Sequence, residues 1–156
     1  KKVASILGWG NANDAYHQTA SSPEGEGAQK AMQLALDEAK LSSKDIDYIN
    51  AHGTATPNND LSEGRAIEKL FGQKQLFSST KAFTGHTLAA AGIIELIYSI
   101  LSIKNNTIFP TLNHNALMPE LKITPVTNII ENITVNTVLS NSFGFGGNNA
   151  TIIIGK

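Results

Sequence analysis

The sequence predicts an α/β domain in which strand–helix units lead to a closing β-hairpin. Three observations predict it. Short apolar runs at residues 3–10, 46–51 and 75–79 alternate with stretches whose apolar residues recur at helical spacing, at 28–40, 61–71 and 87–103. From Asn132 onward the pattern changes to two strand-like runs around a glycine-rich centre. Between these units, polar side chains gather at strand ends, where open α/β sheets bind ligands. The 156 residues suffice for one domain with a real core.

Composition narrows the function classes. Hydrophobic residues make up 41% and charged residues 16%, a globular and lightly charged balance, and the formal net charge of -1 offers no basic field for nucleic acid. The chain has no cysteine, which excludes disulfides, thiolate metal sites and a cysteine nucleophile within it. The longest apolar run, 88–101, is interrupted by Gly92, Glu95 and Ser99, and falls short of the roughly 18–20 clean apolar residues of a membrane span. Lys1-Lys2 precede an apolar piece, Val3 to Trp9, too short for a signal-peptide core. It reads as a strand that begins abruptly without an initiator methionine, as expected for a piece of a longer protein.

In chain order, 3–10 is a strand closed by Gly8 and Gly10, and 11–27 is loop, including His17 and Pro23-Glu24-Gly25-Glu26-Gly27. Residues 28–40 form a helix with Met32, Ala35, Leu36 and Ala39 on its apolar stripe. Residues 46–51 form a short strand. Residues 52–57 form a loop, because Pro57 biases Thr56 away from helix. Asp60 then caps a helix over 61–71, with Glu63 as its box-like partner and Gly72 as its terminator. Residues 75–79 are a strand running into Ser79-Thr80-Lys81-Ala82-Phe83-Thr84-Gly85-His86, where Gly85 supplies a sharp turn. The helix over 87–103 is apolar nearly all round and is therefore expected to be central and buried. Residues 105–125 are loop-rich, with Pro110, Pro119 and Pro125. Strand-like 133–139 and 150–154 flank the turn Ser142-Phe143-Gly144-Phe145-Gly146-Gly147-Asn148-Asn149.

Four polar constellations are candidates for chemistry, each with a plainer reading. His52, at a strand end before Gly53, could present its imidazole to a pocket with the hydroxyls of Thr54 and Thr56 beside it. The plainer reading is a loop histidine with turn-forming threonines. Lys81 with His86 would favour an anion, and a helix start disfavours a charged His86, leaving a neutral donor. The alternative is a surface lysine and a helix-start residue. Glu95, alone in its apolar helix, needs a partner such as Lys81 or a bound cation, unless it faces solvent. Phe143-Gly144-Phe145-Gly146-Gly147 could offer backbone N–H groups to an oxyanion, or be a hairpin turn with packing aromatics. It lacks the ending of a phosphate-binding loop, and no histidine pair has the spacing of a helical zinc motif. His17 and His114 read as ordinary loop residues.

Taken together, these pieces resemble the C-terminal half of a β-ketoacyl-acyl carrier protein synthase, a condensing enzyme of the thiolase-like superfamily. The resemblance rests on Pro23 to Ala28, Tyr48 to Pro57 with Asp60, Ser79-Thr80-Lys81 with Thr84-Gly85-His86, and Asn141 to Gly147, in the family's order over essentially the whole chain. It implies a three-layer thiolase-like half with a five-stranded mixed sheet, flanking helices and a central buried helix, so that residues 1–156 are one C-terminal domain. The nucleophilic cysteine would lie in an N-terminal half. Decarboxylative condensation of a malonyl-carrier protein with an acyl thioester is the implied reaction. His52 and His86 match the histidines that stabilise the enolate oxygen, and Lys81 the lysine that organises the site. Thr54 and Thr56 match the residues that hold the pantetheine arm. Phe145 matches the gate, whose N–H joins the oxyanion hole, and Glu95 a buried acid near the lysine, with Phe143, Gly144, Gly146 and Gly147 as structural neighbours. Ala55 and Asn148 depart from commoner residues at their positions. The resemblance implies no cofactor of the protein's own, since phosphopantetheine arrives on the carrier protein, and no metal. It further implies an acyl carrier protein and the N-terminal half as partners, a homodimer of the full-length protein, and a cytoplasmic setting. A chain-length-factor-like, non-catalytic partner is the alternative.

Overall fold

The computed structural model describes residues 2–156; Lys1, the first of the two opening lysines, lies outside them. The main sheet takes, in spatial order, β1 (Ser5–Asn13), β7 (Asn148–Gly155), β6 (Thr137–Gly144), β2 (Tyr48–Asn50) and β3 (Phe77–Ser78). β7 runs antiparallel to both β1 and β6, and β6, β2 and β3 are parallel to one another, so the sheet is mixed. The hairpin of β6 and β7 is the closing one that the sequence predicts.

Helices cover both faces, giving three layers. On one face α1 (Glu26–Ala39) and α2 (Pro57–Phe71) enclose Met32, Leu36, Ile67, Ile49, Leu139 and Ile153. On the other, α4 (Ala91–Asn105) and the loops around it enclose Tyr48, Ile103, Val138 and Ile154. Neighbours such as Tyr48 and Ile49, or Ile153 and Ile154, therefore bury on opposite sides. This is why the strands read as apolar runs and not as alternation.

Several boundaries differ from expectation for identifiable reasons. β1 continues through Asn11, Ala12 and Asn13, because β7 supplies backbone partners for those polar residues. Gly8 and Gly10 do not close the strand; a Cβ on either would overlap the backbone of α1, so they let that helix lie directly on the sheet. α2 starts at Pro57 in its first turn, with Thr56 extended (φ -98, ψ 136) as the cap. A proline at the first helical position loses no hydrogen bond, so Asp60 sits inside the first turn instead of capping it. Gly72 (φ 77) ends the helix as expected. The loop after α4 contains a two-residue ladder, β4 (Thr107–Ile108) with β5 (Ile130–Glu131), too short to leave a periodic signal.

The expected central buried helix is buried on one side only. Its inward face is Ala91, Glu95, Ser99, Ser102 and Ile103, while Leu88, Ile93 and Ile97 are 76%, 56% and 51% exposed. Apolarity all round showed that the helix needs cover, not which element provides it. Leu88–Asn105 has a mean hydropathy of 1.4 over 18 residues, which meets a short membrane span by length and composition alone. Here it is a packing layer against β6, with a buried ion pair on its inward face.

Candidate active site

The strand ends of β2, β3 and β6 converge on one corner. His52 follows β2 by two residues and is only 5% exposed. Its backbone N–H donates to Glu63 Oε1 and that of Gly53 to Glu63 Oε2, both at 2.8 Å. Gly53 takes φ 42, the left-handed region that a side chain disfavours. The His52 ring stands edge-on to His86, with centroids 5.3 Å apart and planes at 83°, and lies 5.7 Å from the Phe143 ring. Its Nδ1 is buried without a hydrogen-bond partner. Burial, then the charge of Lys81, then His86 push the His52 pKa down to about 3. His52 is thus a neutral imidazole.

The approach to His86 is less direct than a strand-to-helix turn. After β3 the chain makes the one-turn helix α3 (Lys81–Thr84), swings through Gly85 (φ 71, ψ 178), and places His86 ahead of the turn that opens α4. The N–H of Leu88 donates to His86 Nδ1 at 3.2 Å. The ring proton of a neutral His86 therefore sits on Nε2, and the imidazole is an exposed donor.

Lys81 is buried at the start of α3, and its Nζ donates to Glu95 Oε1. Of the alternatives for Glu95, the lysine partner is the one present. The two side chains are 7% and 3% exposed. Burial pushes the Glu95 pKa up, and the bond from Lys81 pulls it back. Asn50 Nδ2 donates to the Glu95 backbone carbonyl at 3.2 Å. Glu95 Oε2 and Asn50 Oδ1 are buried without a hydrogen-bond partner. Among the described residues, no group of three or more His, Asp or Glu could hold a metal ion.

The Thr54 and Thr56 hydroxyls lie 3.0 Å apart, turned by Ala55 at φ 61 between them. In the hairpin, Phe143 faces His52, but Phe145 points outward at 76% exposure. Gly144 ends β6, and Gly146 and Gly147 take φ 77 and φ 74. The turn is tied to the end of β1 and to the loop after it: Asn13 Nδ2 donates to Gly146 O at 2.7 Å, and Gly146 N–H donates to Gln18 O at 2.7 Å. Gly146's N–H is thus already taken, which narrows the oxyanion donors expected from this turn. His17 and His114 lie in loops, where His17 Nδ1 accepts from Thr19 N–H at 3.2 Å.

Glu63 is the residue at this corner that sequence reasoning misplaced. Expected to help cap its helix, it is 3% exposed and points at the His52 loop. Its signal was present: it shares a helix face with Ile67 and Ala66, both fully buried. A separate cleft of about 260 Å³ takes Gly53 and Ala55 from the same loop but neither His52, Thr54 nor Thr56, and is walled by residues 111–125. The histidine corner is therefore a different surface. Chemically, that corner offers two imidazoles edge to face beside a lysine fixed by its carboxylate, which suits negative charge developing on an oxygen.

Comparisons with known proteins bear on the family and the fold. Residues 3–115 match the family described as Beta-ketoacyl synthase, C-terminal domain. The chain is 47% identical over 156 residues to 3-oxoacyl-[acyl-carrier-protein] synthase 2 of Staphylococcus aureus (strain COL), covering 98% of this chain and 38% of that protein. The protein of the same name from Coxiella burnetii is 44% identical with the same coverage. Among solved structures, a beta-ketoacyl synthase from Burkholderia phymatum STM815 superposes with a TM-score of 0.93 at 37% identity, over 99% of this chain and 38% of that one. The ishigamide ketosynthase/chain length factor gives 0.92 at 36% identity, over 100% and 38%. The chain thus spans a little over a third of the length of the relatives it matches, and its fold is theirs.

Proposed function

Since the chain belongs to the β-ketoacyl synthase C-terminal domain family, we propose that it is the C-terminal domain of a 3-oxoacyl-[acyl-carrier-protein] synthase. In this reading the protein condenses a malonyl-carrier protein with an acyl thioester, with loss of carbon dioxide. The observation that carries it is the edge-to-face pair of His52 and His86 beside the buried Lys81–Glu95 pair.

The acyl group would be held as a thioester on a cysteine in an N-terminal half, since this chain has none. When the malonyl C–C bond breaks, its electron pair moves onto the thioester carbon and oxygen as an enolate. His52 and His86 would donate N–H bonds to that oxygen. A neutral donor adds no full charge to the ground state, so its interaction strengthens mainly as the oxyanion forms. Lys81, held by Glu95, supplies a fixed positive potential and is not needed as a base. The enolate carbon then attacks the acyl thioester and expels the cysteine thiolate. Thr54 and Thr56 would hold the pantetheine arm, and Phe145 would gate the entrance, its exposure leaving it free to swing.

In this reading phosphopantetheine arrives on the carrier protein and no resident cofactor takes part. The partners are an acyl carrier protein, the N-terminal half and a second copy of the full-length protein, and the setting is cytoplasmic. The exposed face of α4 would pack against the N-terminal half. The 156-residue chain offered acyl- and malonyl-carrier protein is expected to give no condensation. In the full-length protein, His52→Ala and His86→Ala should each lower malonyl decarboxylation at least about 100-fold, the scale for losing one oxyanion donor. Full decarboxylation by both variants would sink this reading. A non-catalytic, chain-length-factor-like role is the second reading, supported by the ketosynthase/chain length factor among the structural neighbours. A glutamine in place of the upstream cysteine would favour it.

A further inference from the structure

We propose that the cleft behind the His52 loop binds a small apolar amine, and that its occupancy reaches the histidine corner through the backbone of residues 51–55. The catalytic consequence rests on the function proposed above; the binding site does not.

The loop after β2 is one chain thick and has two faces. Ala51, Gly53 and Ala55 line the cleft, whereas His52, Thr54 and Thr56 do not. The residues on the cleft side carry a methyl group or less, so the backbone itself forms that wall. Ile67 of α2, Phe77 of β3, Leu121 and Ile123 supply an apolar interior. Gly64 of α2 lets Leu121 close one end, since a Cβ there would overlap it. At the rim Leu112 and Leu117 are 39% and 55% exposed. Apolar side chains left open beside an apolar interior gain from a ligand that covers them. The volume is about 260 Å³. It holds roughly nine heavy atoms at about 30 Å³ each, the size of a short alkyl or aryl ligand.

Charge selects the head group. Among the described residues no lysine or arginine lines the cleft, and two acids do. Glu63 is already engaged by the N–H groups of His52 and Gly53 and by Asn141 Nδ2. Asp60 has Asn59 Nδ2 at 3.2 Å and the backbone of Ala55. Burial raises its pKa more than these bonds and nearby His114 lower it, so the carboxylate is short of donors. An ammonium brings three donors and a positive charge. An anionic head would be repelled.

The walls are joined to one another and to the loop. Ser79 Oγ donates to Gly53 O at 2.7 Å, and Ser79 N–H donates to Thr111 Oγ1 at 3.0 Å. A ligand that parts the walls therefore pulls on Gly53, the residue after His52. An ammonium on Asp60 also competes with Ala55, which stands between Thr54 and Thr56, for the same carboxylate.

Octylamine, octanol and octanoate share an apolar chain and differ in head group. Titrated by calorimetry into the full-length protein, octylamine should bind at least tenfold more tightly than octanol, and octanoate more weakly than either. Asp60→Asn should abolish the preference for the amine. Met118→Trp, which puts an indole into the cleft, should weaken octylamine binding at least tenfold. Equal affinity for octylamine and octanol, or octylamine affinity unchanged in both folded variants, would overturn the site. If one variant does not fold, the other decides alone. Saturating octylamine should slow malonyl decarboxylation at least threefold, unrelieved by excess malonyl thioester, and Met118→Trp should resist it. Octylamine held in the cleft with decarboxylation undiminished would overturn the link to the histidine corner. A full-length protein that decarboxylates nothing even without octylamine would sink the proposed function and leave the site standing on the binding measurements.

Discussion

An ordinary histidine charges as the pH falls through 6.5; His52 should stay neutral until the pH approaches 3. The largest cause is burial, since the ring is 5% exposed, followed by the charges of Lys81 and His86. A folded pKa below the unfolded one means that the unfolded chain takes up this proton first. The stabilisation is fully present above pH 6.5 and drains away as the pH falls toward 3, at up to about 1.4 kcal/mol per pH unit and roughly 4–5 kcal/mol in all. Glu63 and Glu95 act in the opposite sense, because burial raises both of their pKa values. The stability–pH profile of the wild type minus that of His52→Gln isolates the histidine. Direct observation is simpler still: of the four histidine ring resonances, one should remain flat from pH 8 to about 4 by NMR. Lys81→Met should move its midpoint upward, since that removes a cation and leaves the Glu95 carboxylate nearby. A His52 midpoint between 6 and 7 in the wild type would refute the dry, neutral imidazole and the donor role built on it.

Three further outcomes follow from the packing. Glu95→Ala leaves a buried ammonium unpaired and should cost about 3–5 kcal/mol in urea unfolding, whereas Lys81→Met with Glu95→Leu should cost much less. Ala55→Gly should raise the unfolding midpoint, because it relieves a left-handed Cβ worth about 1–2 kcal/mol, less the added freedom of the unfolded glycine. Ile93→Lys with Ile97→Lys should reduce self-association and hydrophobic-dye binding of the isolated chain, read by light scattering and fluorescence, because these side chains stand on the open face of α4.

Much of the fold was legible because burial and periodicity are local properties. The stripe of α1, the terminator of α2 and the β6–β7 hairpin all follow from residue spacing. The errors share a cause. Gly8 and Gly10 read as strand breakers because their reason, the nearness of α1, lies about 20–30 residues away in sequence. Asp60 and Thr56 are both capping residues, and only the backbone at Pro57 decides between them. Of the candidate site, His52, Lys81, His86 and Glu95 are brought to one corner as expected, whereas Phe145 stands outward and Thr54 and Thr56 bond to each other. Glu63 was hidden by a pattern that a cap explains equally well.

The amino-acid order alone established the α/β class, the absence of a thiol and the residue types available for chemistry, because composition and periodicity need no third dimension. Which acid pairs with Lys81, which way the His52 ring looks, and that Glu63 holds a backbone and not a helix end were settled by tertiary structure. Each depends on groups 10 to 80 residues apart meeting in a place without water. There a carboxylate must take whichever donors the fold brings to it, and helical spacing alone cannot say which those are.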